Sequence, residues 1–361
     1  MSEAQTLATA PVVEENGYYR LTVEKVIEET HDTKSVVFAI PEALKSAFQY
    51  KAGQFLTLKV PYGEQALIRC YSLASSPDTE SEHKVTIKRV VDGRISNWIN
   101  DQVQAGDEIL VLPPAGLFHL GKESDDGDIV LFGGGSGITP VISILKTALH
   151  TTQRNIKLVY ANRDDQSVVF NAELRALMQA NWQRLEIVHL LDSIHGYLSG
   201  PQVTQLVAGS SNPEFFICGP GPFMDTVETA LLARGEDKAR IHVERFVSPQ
   251  DPKEAAEIEA MAQAAAAETE ASSIEVTLDD EVHQLDYEPG DTLLQTITKA
   301  GIDAPRSCEE GFCGACMCKV KRGEVTLNVN DVLSPEEVEE GWTLACQGRP
   351  MSADVSIEFP D

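Results

Sequence analysis

Four of the chain's seven cysteines fall between positions 308 and 318, and their spacing has a chemistry. Cys308, Cys313 and Cys316 are separated by four and then two residues, and a long gap leads to Cys346. This is the pattern of thiolates that holds a plant-type [2Fe-2S] cluster. Gly311 and Gly314 lie between the ligands, where a chain folding three thiolates around one small cluster must turn tightly and glycine reaches the positive φ such turns need. Glycine also lets backbone N–H groups approach the sulfurs, where they stabilise the charge added on reduction. Structural zinc usually takes two paired Cys spacings or histidines. The loop has no His, which argues against a Rieske centre as well. Cys318 is surplus to the set and is expected to pack as a free thiol. Such clustering in a long chain speaks for metal ligation rather than a disulfide framework.

Other short runs could hold dinucleotides. Arg69-Cys70-Tyr71-Ser72 follows an extended run and a loop at Gly63. Arg69 can neutralise a flavin phosphate with paired charge-assisted bonds. Tyr71 can lie on the isoalloxazine, and the Ser72 hydroxyl can reach the ring. Gly93-Arg94-Ile95-Ser96 precedes the apolar-periodic Trp98, Ile99 and Val103, so Ser96 sits where a helix would begin and exposed N–H groups would suit a pyrophosphate. Taken alone, Arg69 reads equally well as half of a surface ion pair. Both runs together, in this order and in a β-rich region, point to a flavin.

A further strand runs into Gly133-Gly134-Gly135-Ser136-Gly137-Ile138-Thr139-Pro140 and then a helix. Bare backbone at such a turn lets a dinucleotide pyrophosphate approach the helix N-terminus. Pro140 is tolerated near the helix start because its missing N–H would be unbonded there. The run is not GxGxxG, which disfavours a simple Rossmann dehydrogenase. Cys218-Gly219-Pro220-Gly221-Pro222 ends a later strand at the carboxyl edge, where α/β sheets place ligands. Cys218 could contact a nicotinamide, or be a small buried hydrophobe at a strand end. Arg163 and Ser167 follow the second strand, where adenosine ribose is discriminated, but Asp164 and Asp165 stand beside Arg163. That leaves both NADH and NADPH open.

These runs need scaffolds. Residues 1–16 are polar, Ala/Thr-rich and aperiodic, which predicts a loosely ordered tail. Over 17–121, short β-branched runs at 21–27, 35–40, 55–60 and 84–91, separated by Gly/Pro turns, predict an antiparallel barrel or sandwich. Over 122–246, strands at 128–132, 157–161, 185–190 and 215–218 alternate with helices at 139–149 and 171–179, which predicts a parallel sheet with crossover helices. Residues 247–273 hold two prolines and abundant Glu and Ala, the composition of a linker. A stretch at 257–268 favours helix but has no broad apolar face. Over 274–361 a third module opens with strands at 274–278 and 282–287 and a helix at 292–300 stopped by Gly301.

At 361 residues and 42% hydrophobic, the chain can bury two or three separate cores. Its 56 acidic against 29 basic side chains, a net charge of −27, disfavour nucleic acid and anionic membranes as partners. No run approaches the ~18 apolar residues of a membrane span, and no basic region followed by an apolar stretch opens the chain, so the cytoplasm is the expected location. The third module carries 19 acidic and 6 basic side chains. An acidic face there could steer a basic acceptor, with rates that fall as salt rises. General acidity for solubility would leave the same imbalance.

In this order, the motifs resemble the ferredoxin-NADP reductase superfamily fused to a C-terminal plant-type ferredoxin domain. Within it the chain looks most like reductase components of bacterial multicomponent oxygenases, of the phenylacetyl-CoA epoxidase and 3-ketosteroid 9α-hydroxylase kinds. The resemblance implies an FAD-binding β-barrel, a parallel α/β nicotinamide-binding domain and a β-grasp [2Fe-2S] domain. It implies flavin contacts from Arg69, Tyr71 and Ser72, with Ser72 near the flavin N5, and pyrophosphate contacts around Lys88 and at Gly93, Ile95 and Ser96. It also implies nicotinamide near Cys218, Gly219 and Pro220, and a Glu244-Arg245-Phe246 segment closing the flavin site. Family members ending at this point cover the ring with an aromatic residue; here Phe246 takes that place with more chain after it. Related phthalate-type reductases use FMN, whereas the run 93–98 is more like the FAD branch. The Asn162-Arg163-Asp164 run resembles NADH-using members.

The three sites also fit together without any family. A nicotinamide gives up two electrons as a hydride, and a [2Fe-2S] cluster takes one at a time. A flavin converts between them. With nicotinamide stacked on the ring, Ser72, Cys218 and Glu244 would shape the hydride-transfer contact. A cluster of this type sits near roughly −400 mV, which suits an oxygenase or hydroxylase as acceptor. A reductase serving a desaturase or demethylase differs only in its partner. A redox-sensing module would be reduced slowly by NAD(P)H, and a flavin reductase releasing free flavin would have no use for the appended ferredoxin.

Overall fold

In this computed structural model, residues 17–62, 65–121, 127–246, 260, 262, 271, 273–330 and 332–360 are described. The expected tail, Gly63 and nearly all of the expected linker lie outside the described residues; Ala260 and Ala262, within its predicted helical stretch, are helical. The chain divides into two compact units, one of residues up to 67, 71–114 and 118–246, the other of residues 68–70, 115–117 and those after 246.

The first unit opens with six strands: β1 (Tyr19–Thr30), β2 (Thr33–Ala39), β3 (Phe55–Tyr62), β4 (Gln65–Ser72), β5 (His83–Lys88) and β6 (Glu108–Ala115). They form an antiparallel sheet in the order β4-β3-β6-β1-β2-β5. A bridge between Leu73 and Val85, with the Ala74 amide donating to the Lys84 carbonyl at 2.7 Å, brings the two outer strands together. The closure removes the free edges that an open sheet would present. Helix α1 (Arg94–Gln102) sends Ile95 and Ile99 into the barrel core. The strand expected to reach residue 91 stops at Lys88. Val91 is 90% exposed and the chain turns at Asp92, whose φ is 59°.

Five parallel strands follow, β7 (Ile129–Gly134), β8 (Ile156–Asn162), β9 (Leu185–Leu191), β10 (Glu214–Cys218) and β11 (Ile241–Glu244), in the order β11-β10-β7-β8-β9. Helices α2 (Ile138–Thr151), α3 (Asn171–Ala180), α4 (Asp192–His195), α5 (Gly200–Leu206) and α6 (Gly221–Arg234) connect them. Alternate residues of β7 enter different cores: Ile129 and Leu131 pack with α2, Val130 and Phe132 with α6. A strand covered on both faces has to be apolar throughout, which makes β7 conspicuous in the sequence. The α2 core runs on into barrel residues Ala52, Ala74 and Phe118.

In the second unit, β12 (Ser273–Leu278), β13 (Glu281–Asp286), β14 (Met317–Arg322), β16 (Trp342–Leu344) and β18 (Asp354–Glu358) form a mixed sheet in the order β13-β12-β18-β14-β16. Strands β15 (Val325–Leu327) and β17 (Gly348–Pro350) pair separately. Helix α7 (Leu293–Lys299) is started by a reciprocal cap between Thr292 and Gln295 and buries Leu293 and Ile297 in this unit's own core. A short helix, α8, spans Pro335–Glu339. Cys318 is fully buried in that core, as a packed thiol should be. Among the described residues no helix is long and apolar enough to cross a membrane.

Candidate nicotinamide and flavin sites and the cluster loop

Parallel pairing fixes which residues share the carboxyl edge of the second sheet. Cys218 is in register with Gly133 of β7 on one side and Glu244 of β11 on the other. Burial, and then the Glu244 carboxyl beside it, raise the Cys218 thiol well above its ordinary range, so it stays protonated. Burial pushes the Glu244 carboxyl up to about 8. Glu244 is the last residue of β11.

The two glycine runs pack on each other here. A Cβ on Gly137 would lie 2.1 Å from the Cys218 carbonyl oxygen, and one on Gly219 would lie 2.8 Å from the Phe223 ring. A Cβ on Gly134 would meet Pro220 at 2.8 Å. Gly135 instead has φ of +52° and open space. Thr139 turns its hydroxyl back to the Ser136 carbonyl at 3.2 Å, and Pro140 is buried in the first turn of α2. Helix α2 starts at Gly137 and α6 at Pro220, neither of which supplies a capping side chain. In the first turns, Pro140 and Pro222 have no N–H to offer, the Ile138 amide donates to the Gly135 carbonyl and the Phe223 amide to the Pro220 carbonyl at 3.0 Å.

If the nicotinamide docks at this edge, as the sequence motifs imply, a carboxyl pushed up to about 8 there has a directional consequence. The ring gains positive charge when its hydride leaves, and an ionised Glu244 favours the cationic form. Affinity for NAD+ is expected to rise about five- to tenfold as pH passes upward through about 8, on the order of one pKa unit of coupling. Glu244→Gln should flatten that profile. Product-inhibition constants for NAD+ at several pH values check it, and a flat wild-type profile would remove Glu244 from the site.

On the barrel side, Ser72 ends β4 with a buried hydroxyl that has no hydrogen-bond partner among the described residues. A buried orphan of this kind fits a polar ring atom of a bound flavin. Tyr71 is half-buried against the barrel core, and Arg69 donates to the Ile68 carbonyl at 2.6 Å. Helix α1 begins at Arg94, not Ser96, with Gly93 just before it; no side chain caps this helix, and a Cβ on Gly93 would lie 2.4 Å from the Ser96 hydroxyl. That hydroxyl accepts from the Val90 amide at 3.2 Å, and the Ile95 side chain is committed to the core. The helix start offers its backbone N–H groups to a pyrophosphate. Lys88 is engaged with Asp32 at 3.1 Å. Phe246 is 45% exposed, while Arg245 ties the end of β11 to α6 through Asp225 at 2.9 Å and Glu228 at 3.1 Å.

Arg163, just past β8, bonds Asp164 at 3.0 Å and the Ser167 hydroxyl at 3.1 Å. The Ser167 and Arg163 hydrogen bonds pull the Asp164 carboxyl down to about 2, so it is ionised wherever the protein works. A cavity of about 390 Å³ lined by Asp128, Asn155 and Trp182 sits at the amino ends of β7 and β8, away from all of these groups.

The four predicted cluster cysteines lie together as two pairs. The Cys308 thiol faces that of Cys313, and Cys316 faces Cys346. Among the described residues no three His, Cys, Asp or Glu side chains converge on one ion-sized point. Two pairs suit two irons, each taking two thiolates, rather than a single ion. Main-chain amides point at the sulfurs: Cys308 N–H to Cys313 Sγ at 3.4 Å, Glu310 N–H to Cys308 Sγ at 3.4 Å and Cys346 N–H to Cys316 Sγ at 3.5 Å. Gly311 and Gly314 take φ of +83° and +71°, and a Cβ on Gly311 would lie 2.9 Å from the Val329 carbonyl oxygen.

Family models match along the chain: an oxidoreductase FAD-binding domain over residues 20–120, an oxidoreductase NAD-binding domain over 131–229 and a 2Fe-2S iron-sulfur cluster binding domain over 276–351. The chain is 48% identical to the ferredoxin reductase component of 3-ketosteroid-9-alpha-monooxygenase from Rhodococcus rhodochrous, over 94% of this chain and 96% of that protein. It is 33% identical to a component of the 1,2-phenylacetyl-CoA epoxidase of Escherichia coli strain K12, over 95% of this chain and 98% of that one. Among solved structures, phthalate dioxygenase reductase shares the fold with a TM-score of 0.57 at 23% identity, over 95% of this chain and 98% of that one.

Proposed function

We propose, from the premise that this chain belongs to the NAD(P)H-dependent ferredoxin reductase components of multicomponent monooxygenases, a division of labour among its residues. The chain carries electrons from NAD(P)H by way of FAD and a [2Fe-2S] cluster to an oxygenase. Bound FAD supplies acceptance of a hydride and release of electrons one at a time. Ser72 offers its hydroxyl to the reacting edge of the ring, and Cys218 and Glu244 bound the nicotinamide. Arg69, Tyr71 and the backbone from Gly93 to Ser96 hold the flavin. The backbone of residues 134–137, with Thr139, Pro140, Gly219 and Pro220, receives the nicotinamide dinucleotide. Cys308, Cys313, Cys316 and Cys346 hold the cluster. The domain limits we assign are 17–121, 122–246 and 274–361, with 247–273 as linker.

The observation that carries this reading is the register that sets Gly133, Cys218 and Glu244 abreast beside the uncapped starts of α2 and α6. Anaerobic titration with NADH should bleach flavin and cluster absorbance together. Flavin bleaching with a cluster that never follows would sink the order of transfer.

We assign NADH as the preferred donor, because Arg163 is already bonded to an ionised Asp164 that would repel a 2′-phosphate. A higher kcat/KM with NADPH in the same assay would reverse this. The acceptor we assign is the oxygenase of a 3-ketosteroid 9α-hydroxylating system, on the strength of the 48% identity. Docking is transient and uses the acidic C-terminal module, where Glu309 beside Cys308 and Glu336 and Glu339 of α8 are exposed. Oxygenase reduction that does not slow as salt is raised would remove that mode. We place the protein in the cytoplasm, where its seven unbridged cysteines stay reduced.

A further inference from the structure

Helix α2 begins at the nicotinamide loop, and one of its faces rests on the chain that follows Ser72. Ser143, Lys146 and Thr147 lie three and four residues apart, so they share that face. The Ser143 hydroxyl donates to the Ser75 carbonyl at 2.6 Å, and the Thr147 and Ser76 hydroxyls are 2.7 Å apart. Between these contacts the Lys146 ammonium sits 2.6 Å from Glu80, on the barrel side, and 2.9 Å from Glu173 of α3. Lys84 of β5 completes the set, 3.6 Å from Glu173 and 5.0 Å above the Phe170 ring. Only 6% of the Lys146 side chain and 8% of the Lys84 side chain reach solvent. Two charges of each sign are therefore paired crosswise between the barrel and the parallel sheet, with both ammonium groups buried and the Glu80 and Glu173 carboxylates partly exposed.

We propose that Lys146 is a positioning residue for hydride transfer. Its paired carboxylates hold α2 against the Ser72–Glu80 stretch and so fix the nicotinamide loop relative to the flavin. This deepens the reading of Ser72 and the glycine loop as the two halves of one site, and rests on it. Hydride transfer needs reacting atoms about 3–3.5 Å apart, and a displacement of about 1 Å costs on the order of 100-fold in rate. Removing one member of a buried ionic set leaves its partners unpaired, so the contact loosens instead of closing up.

The test is anaerobic stopped-flow reduction of the flavin by NADH in the full-length holoprotein. Lys146→Met should lower the limiting reduction rate by about tenfold or more, with the half-saturating NADH concentration changed by less than about twofold. Flavin occupancy and reduction by dithionite should match wild type, and Lys146→Arg should recover most of the rate. Glu80→Gln, on the barrel side and partly exposed, should shift the limiting rate in the same direction by a smaller factor. A merely structural role would lower the melting temperature and leave the limiting rate of flavin-loaded protein unchanged. Wild-type limiting rates in both variants, or a loss that dithionite shares, overturn the proposal. If Lys146→Met does not retain flavin, a wild-type limiting rate in Glu80→Gln overturns it alone. Failure of wild-type flavin to accept electrons from NADH would instead count against the reading of the site itself.

Discussion

Replacing Cys313 by serine should leave flavin reduction by NADH at its wild-type rate and cut one-electron delivery to an acceptor by about a hundredfold or more. Even outer-shell changes around a metal centre cost about 10- to 100-fold, and the residue changed here is one we propose as a ligand itself. Serine presents a hard oxygen where iron and sulfide favour a soft thiolate. It also removes the sulfur that accepts the Cys308 N–H at 3.4 Å. The two readouts are separable: flavin bleaching by stopped flow for the first step, and reduction of cytochrome c or another single-electron acceptor for the second. Equal loss in both would contradict the order flavin first, cluster second.

The second large effect is expected at Gly137. Its φ lies at −63°, a value any residue adopts, so alanine there meets no backbone strain. The obstacle is space: the added carbon would fall 2.1 Å from the Cys218 carbonyl oxygen and 2.6 Å from the Gly219 nitrogen. Those atoms are backbone, with no rotamer to yield, so the two loops must part. Overpacking of this kind costs about 1–3 kcal/mol. The catalytic cost is larger, because the start of α2 and Cys218 move relative to each other. Flavin reduction by NADH should fall about a hundredfold while dithionite still reduces the flavin. Gly221→Ala is the control. Nothing lies within 4 Å of its added carbon, it sits in the first turn of α6, and wild-type kinetics are expected. A Gly137→Ala enzyme that reacts at the wild-type rate would show that the loops are not part of the site.

How much of each element is legible in the sequence depends on the kind of signal it leaves. The cluster motif stands out, because four cysteines at fixed spacing with glycines between them have few other uses, and in the structure they lie as two pairs. Strand β7 and helix α2 are legible because a doubly covered strand is uniformly apolar and ends in bare glycine. Helix α6 is not. Its opening Gly221-Pro222 masks the helical pattern, although Pro222 in a first turn costs no hydrogen bond. Strand β11 is hidden because four residues carry no periodicity. Glu244 is singled out only by resemblance, and its register with Cys218 is visible in the fold alone. Ser96 reads as the start of a helix that begins two residues earlier, since apolar spacing locates a helix face better than its end. The pairing of Arg163 with Asp164 is half visible, as neighbours in sequence whose contact only the fold decides. The charges at Glu80, Lys84, Lys146 and Glu173 leave one faint trace, a lysine inside the otherwise apolar run of α2.

Those four charges bear on how such reductases can be recombined. Glu80 and Lys84 travel with the barrel, and Lys146 and Glu173 travel with the parallel sheet. A hybrid whose parents carry opposite polarity at these positions would bury like charges at the join. Exchange between the two halves is therefore restricted to lineages that share the pattern, whereas the cluster-bearing unit, with a core of its own, is under no such restriction from these four residues.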